Sequence, residues 1–200
     1  MHLDKVTAKT AGIRLFDPLY KIMELHGVSA IELNKDHESH NHWRDFGDDT
    51  FIFCVVRNPV LRTMSEFSWW ANYGDNGIRT HNEWRDSYCP FYTEDNFVNW
   101  LETKHVKNYQ SGVIGDRVGR INLLVRNEGI RYNENRLRET ILGALGIDHR
   151  FDHYPPDFED GFMPADKKLL DVVNNSASIL KLIEEYNQED INIYRQASEI

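Results

Sequence analysis

Three short stretches carry residue types that do chemistry. The first is Lys9-Thr10-Ala11-Gly12. A small-residue turn ahead of a helix presents backbone N–H groups at the positive end of the helix dipole, and a lysine in it adds a full charge, so the pattern suits a phosphate. It is not a Walker A loop, because the GxxxxGK[ST] spacing is absent. The second is Arg57, followed eight residues on by Ser65. A guanidinium grips a phosphate through two parallel hydrogen bonds, and a hydroxyl two turns into the next helix can add a third. The third is His37, in a run that also holds Asp36, His40 and His42. Histidine has the unperturbed pKa for proton transfer at neutral pH. Three histidines also suit a metal, yet no fitting fourth ligand and no HExxH pattern accompanies them, so no metal site is expected. Each stretch has a plain structural reading as well: a tight turn, an arginine in an ion pair, a loop histidine.

The elements that must position these residues follow from periodicity. Phe51–Val56 is an unbroken β-branched and aromatic run, the mark of a strand buried on both faces. Arg57 stops it, and Pro59 suits the first turn of a helix reaching about Trp70. Arg57 is thus expected at the carboxyl end of a buried strand, just ahead of a helix N-terminus, where open α/β sheets bind anions. Leu3 and Val6 support a strand within Met1–Ala8. Leu15, Leu19, Ile22 and Met23 share one face of a helix that Gly27 ends. Val28–Leu33 reads as the second strand, with His37 beyond its carboxyl end. Thr93–Thr103 reads as a helix capped by Thr93, Ile121–Val125 as a strand, and Asn133–Gly146 as an amphipathic helix. One helix or a pair runs from Asp166 to about Tyr194. Asn108–Arg120 reads only as a polar, glycine-containing stretch with Gln110 and Ser111. Alternating strands and helices predict an α/β protein. The expected architecture is a three-layer α/β/α single domain over residues 1–200, around a central parallel sheet of roughly four or five strands.

Composition narrows the function classes. The 200 residues carry a formal net charge of −9, which argues against general nucleic-acid binding. The mean hydropathy is −0.59. No apolar stretch is long enough to span a bilayer and no signal-peptide core is present, so the expectation is a soluble, cytoplasmic chain without a membrane segment. Two cysteines, Cys54 and Cys89, make no evident disulfide framework.

Taken together, AKTAGIR and VRNPVLRTMS resemble the two nucleotide motifs of the sulfotransferase superfamily that uses 3′-phosphoadenosine 5′-phosphosulfate (PAPS). In its carbohydrate-type members these read like PKTAGTS and VRNPYDRLVS. Further along, DNFVNWLETKHVKNYQSG, RNEGIRYNENRLRETILGALGI and EEYNQEDINIY resemble, more loosely, a helix and glutamine-containing loop, a strand end and helix, and a tyrosine-acid-tyrosine terminus. The resemblance implies a P-loop-like nucleotide-binding fold, PAPS as donor without a metal, and a hydroxyl acceptor on a carbohydrate. It implies that Lys9, Thr10, Ala11, Gly12, Ile13 and Arg14 surround the 5′-phosphosulfate, with Lys9 catalytic, and that Arg57 and Ser65 hold the 3′-phosphate. It also implies His37 as general base, with Asp36 second. Ile13 and Arg14 stand where the family loop has threonine and serine; two hydroxyl donors are lost, and Arg14 offers a charge instead. The alternatives are an inactive nucleotide- or glycan-binding member of the fold and a nucleotide-dependent phosphotransferase. The aromatic-rich segment 71–92 is the expected acceptor-recognition insertion, since specificity usually lives on loops around a scaffold. Trp69, Trp70 and Tyr73 have the type and place to stack on a sugar ring, but aromatics on a helix more often face the core, so one of the two tryptophans is expected there and the other is left unassigned.

Overall fold

The buried run of the sequence becomes β3, Thr50–Val56, at the heart of a four-stranded sheet. The structure is a computed structural model and describes residues 2–7, 16–30, 50–73, 92–127, 130–151 and 164–199. The other strands are β1 (His2–Thr7), β2 (Ser29–Ala30) and β4 (Leu123–Arg126). Their order is β2-β1-β3-β4, and every pairing is parallel. An α/β protein with a parallel sheet is therefore what the chain forms. β1 runs against β3 from His2↔Thr50 to Thr7↔Val55, and β3 against β4 from Phe53↔Leu123 to Val56↔Arg126.

Two compact units divide the chain. The first comprises Met1–Arg57, Tyr109–Pro156 and Asn192–Ile200. Its helices are α1 (Phe16–Leu25), α4 (Tyr109–Ile114) and α5 (Ile130–Ala144), with a 3₁₀ turn at Gly115–Arg120. Successive residues of a strand face opposite sides, and β3 uses both. Phe53 and Val55 join Leu19 and Met23 of α1 and Leu137, Ile141 and Leu142 of α5. Cys54 and Val56 join Ile114 of α4 with Ile193 and Ala197 near the C-terminus. Both α1 and α5 end in the same way. Gly27 (φ 69°) and Gly146 (φ 76°) take the left-handed conformation, and the next residue's N–H turns back to the helix, Val28 to Met23 O and Ile147 to Leu142 O at 2.9 Å each. The C-terminal segment covers the outer edge of β4: Ser198 bridges Val125, and Arg126 pairs with Glu199 at 2.5 Å.

The second unit, Asn58–Asn108 and Asp157–Ile191, is helical. It contains α2 (Pro59–Tyr73), α3 (Glu94–Thr103), α6 (Pro164–Asn174) and α7 (Ala177–Tyr186). Phe67 is its aromatic centre, with Phe97 edge-on at 4.7 Å and Trp100 at 5.5 Å between ring centroids. Thr93 caps α3 by accepting from the Asn96 N–H, as its sequence position predicts.

Two expectations about elements need correction. The stretch 109–120 is helical, since Gln110, Ser111, Val113 and Ile114 are all buried and give α4 an inward side that its polar composition disguises. The C-terminal region forms three helices, α6, α7 and α8 (Gln188–Gln196), broken where Ser176 caps α7 and where Asn187 is buried. No helix among the described residues is long and apolar enough to cross a membrane.

Candidate functional site

The strand order creates a switch point. After β1 the chain goes to β2 on one side; after β3 it goes to β4 on the other. In open parallel sheets the crevice beyond the carboxyl ends of such a strand pair is where ligands bind. The strand pair is β1 and β3, about 4.8 Å apart as neighbours in a sheet. β1 ends at Thr7, two residues before Lys9, and β3 ends at Val56, one before Arg57. Lys9, Thr10, Ala11, Gly12, Ile13 and Arg14 themselves lie outside the described residues, as do His37, Asp36, His40, His42 and residues 74–91 of the aromatic segment.

Arg57 is half-buried, and its main chain is held on both polar groups by one side chain. The Arg57 N–H donates to Gln110 Oε1 at 2.7 Å, and Gln110 Nε2 donates to the Arg57 carbonyl at 2.9 Å. Gln110 is fully buried. Nothing in its sequence neighbourhood marks it for this contact, beyond its being an amide in a stretch that turns out to be largely buried.

The beginning of α2 corrects one expectation. Asn58 Oδ1 accepts from the N–H groups of Val60 (2.9 Å) and Leu61 (3.3 Å), and Pro59 has no N–H to offer. The amides that would make this helix N-terminus an anion site are therefore either missing or already satisfied. An anion held here would be held by side chains. Ser65 is exposed on α2, as is Trp69 one turn later at 61%. Trp70 is the tryptophan that joins the core, stacked on Phe67 at 5.9 Å and 26°.

The second arginine of VRNPVLRTMS has a different fate. Arg62 is 8% exposed and sits among acids. Its guanidinium donates to Glu66 at 2.8 Å and lies 3.9 Å from the fully buried Asp190. It also reaches Asn187 Oδ1 at 3.4 Å. The orientation of Asn187 is fixed by the Ile183 carbonyl, which only accepts and so takes the amide nitrogen at 2.8 Å. Its oxygen then faces His105 Nε2 at 3.2 Å, which places a proton on that nitrogen. His105 Nδ1 lies 3.4 Å from Glu66 Oε2. Arg62 is thus committed to a buried network inside the second unit, and Arg57 is the arginine of the motif that stands at the sheet's carboxyl edge.

Cys54 offers no nucleophile. Burial pushes its thiol from 9.0 up to about 12, so it stays protonated. Among the described residues no three His, Cys, Asp or Glu side chains gather as metal ligands. No family model, curated protein or solved structure matches the chain.

Proposed function

We propose that the protein is a sulfotransferase that moves a sulfonyl group from PAPS to a hydroxyl of a carbohydrate. The observation that carries this is the switch point between β1 and β3, because the two stretches with phosphate-binding chemistry follow those strands. The helices on either side of β3, α1 and α5 against one face and α4 against the other, support a three-layer, P-loop-like form for the first unit.

In the mechanism, Arg57 and Ser65 hold the 3′-phosphate and so fix the donor's orientation. Lys9, with Thr10, Ala11, Gly12, Ile13 and Arg14 around the 5′ end, stabilises charge on the departing 5′-phosphate. His37 takes the acceptor's proton while the acceptor oxygen bonds to sulfur and the sulfur–oxygen bond to the 5′-phosphate breaks, leaving 3′-phosphoadenosine 5′-phosphate. Every charged role falls to a side chain of this chain and none to a metal. Residues 71–92 choose the acceptor.

A second reading has its own support in Ile13 and Arg14: a member of the fold that binds nucleotide or glycan without transferring sulfonate. Two measurements separate them. Millimolar 3′-phosphoadenosine 5′-phosphate should raise the melting temperature more than ATP does, and labelled sulfonate should pass from PAPS to a glycan in a panel of acceptors. A melting shift without transfer leaves the binding protein; no shift sinks both.

A further inference from the structure

We infer that Gln110 is a positioning residue for Arg57, holding the main chain of the residue that follows β3 from both of its polar groups. The inference rests on the reading above, in which Arg57 holds the 3′-phosphate. The ladder from β3 to β1 ends at Val55 and that to β4 at Val56. Arg57 lies one residue past both, and there its main chain is met by the Gln110 side chain. A primary amide suits this double contact, since it carries a donor and an acceptor side by side. Gln110 spends one of each on Arg57, at 2.9 and 2.7 Å. A buried amide is costly unless its polar atoms are paired, so its place is justified by these bonds rather than by packing. Its neighbours Ser111, Val113 and Ile114 are buried too, which holds α4 and the amide in place. The long arginine stem amplifies any rotation of the main chain at its root. A bidentate grip on phosphate tolerates little such error, so the clamp sets the direction from which the guanidinium approaches.

The test is calorimetric titration of the full chain with two nucleotides, 3′-phosphoadenosine 5′-phosphate and adenosine 5′-phosphate, which differ only in the 3′-phosphate. Wild type should prefer the bisphosphate. Gln110→Met, similar in volume but without either hydrogen bond, should lose about tenfold of that preference, the equivalent of one hydrogen bond to a charged group. Its affinity for adenosine 5′-phosphate should hardly change, and in an Arg57→Met background it should have no further effect. Should Gln110→Met fail to fold, Gln110→Glu keeps the acceptor, loses the donor and is judged by the same preference. A variant that weakens both nucleotides alike, or keeps the full preference, reduces Gln110 to a structural residue and overturns the inference alone. A wild type with no preference for the bisphosphate overturns the inference and the sulfotransferase reading together.

Discussion

Replacing Arg62 by methionine should destabilise the protein without removing any group proposed to bind the nucleotide. The side chain is 9% exposed and the Asp190 carboxylate beside it is fully buried, so the change takes a guanidinium away from a buried acid. Breaking a buried pair by removing one partner costs about 3–5 kcal/mol. Glu66, the closer partner at 2.8 Å, is 29% exposed and can turn to water, which places the cost near the lower end, about 3 kcal/mol. For a chain of this size that is a fall in melting temperature of about 6–12 °C. Circular dichroism melts at pH 7 would read it. Arg62→Met with Asp190→Asn should recover part of the loss, because the uncompensated charge is then gone. Arg57→Met, by contrast, should melt within a few degrees of wild type and lose binding of 3′-phosphoadenosine 5′-phosphate. A single Arg62→Met variant that melts like wild type would refute the placement of this arginine in a stabilising network.

Three further outcomes follow from burial. The folded state keeps the Cys54 thiol protonated up to about 12 while the unfolded thiol ionises near 9.0, so this group leaves stability unchanged below pH 9 and lowers it as pH rises through that window. Urea melts at pH 8 and pH 10.5 should show wild type losing about 2 kcal/mol relative to Cys54→Val, and parallel losses would contradict the assignment. Trp100→Ala, at 2% exposure, should cost about 3–5 kcal/mol, and Trp69→Ala about 0.5 or less, by the same melts; similar losses would mean that Trp69 is packed. Asn58→Ala should cost about 1 kcal/mol of stability, since it frees the Val60 and Leu61 amides; a neutral result would show that the cap is not stabilising.

Much of the scaffold was legible because its signals are local. The FIFCVV run, Pro59 after it, and the glycines at 27 and 146 mark β3, the start of α2 and the ends of α1 and α5 through backbone chemistry that a few neighbouring residues decide. α4 was not legible, because what makes it a helix is burial of Gln110 and Ser111, and polar residues facing inward leave no apolar stripe to count. The same reason hid the most informative contact at the sheet's edge. Gln110 and Arg57 are 53 positions apart, and only the fold brings that amide to that main chain. The separate fates of Arg57 and Arg62 were also invisible, since both are arginines of one motif and burial alone distinguishes them. Trp69 and Trp70 repeat the point: adjacent identical residues, divided by which side of α2 meets Phe67.

The structure redistributes the weight of the motif VRNPVLRTMS. Asn58 is there to cap α2, Pro59 to begin it and Arg62 to neutralise Asp190 and Glu66; a protein with no nucleotide to bind would want all three for the same strand–turn–helix. Those positions are therefore accounted for by the local strand–turn–helix and say little about chemistry. What remains for chemistry is Arg57, held by Gln110 where the sheet ends, and Ser65, exposed two turns into the helix. A motif match counted over all ten letters overstates the case for a phosphate site, and a match at these two positions states it fairly. By that measure, and on the proposed reading, a chain keeping Asn58, Pro59 and Arg62 but lacking Arg57 and Ser65 should fold as this one does and lose the binding of a 3′-phosphate.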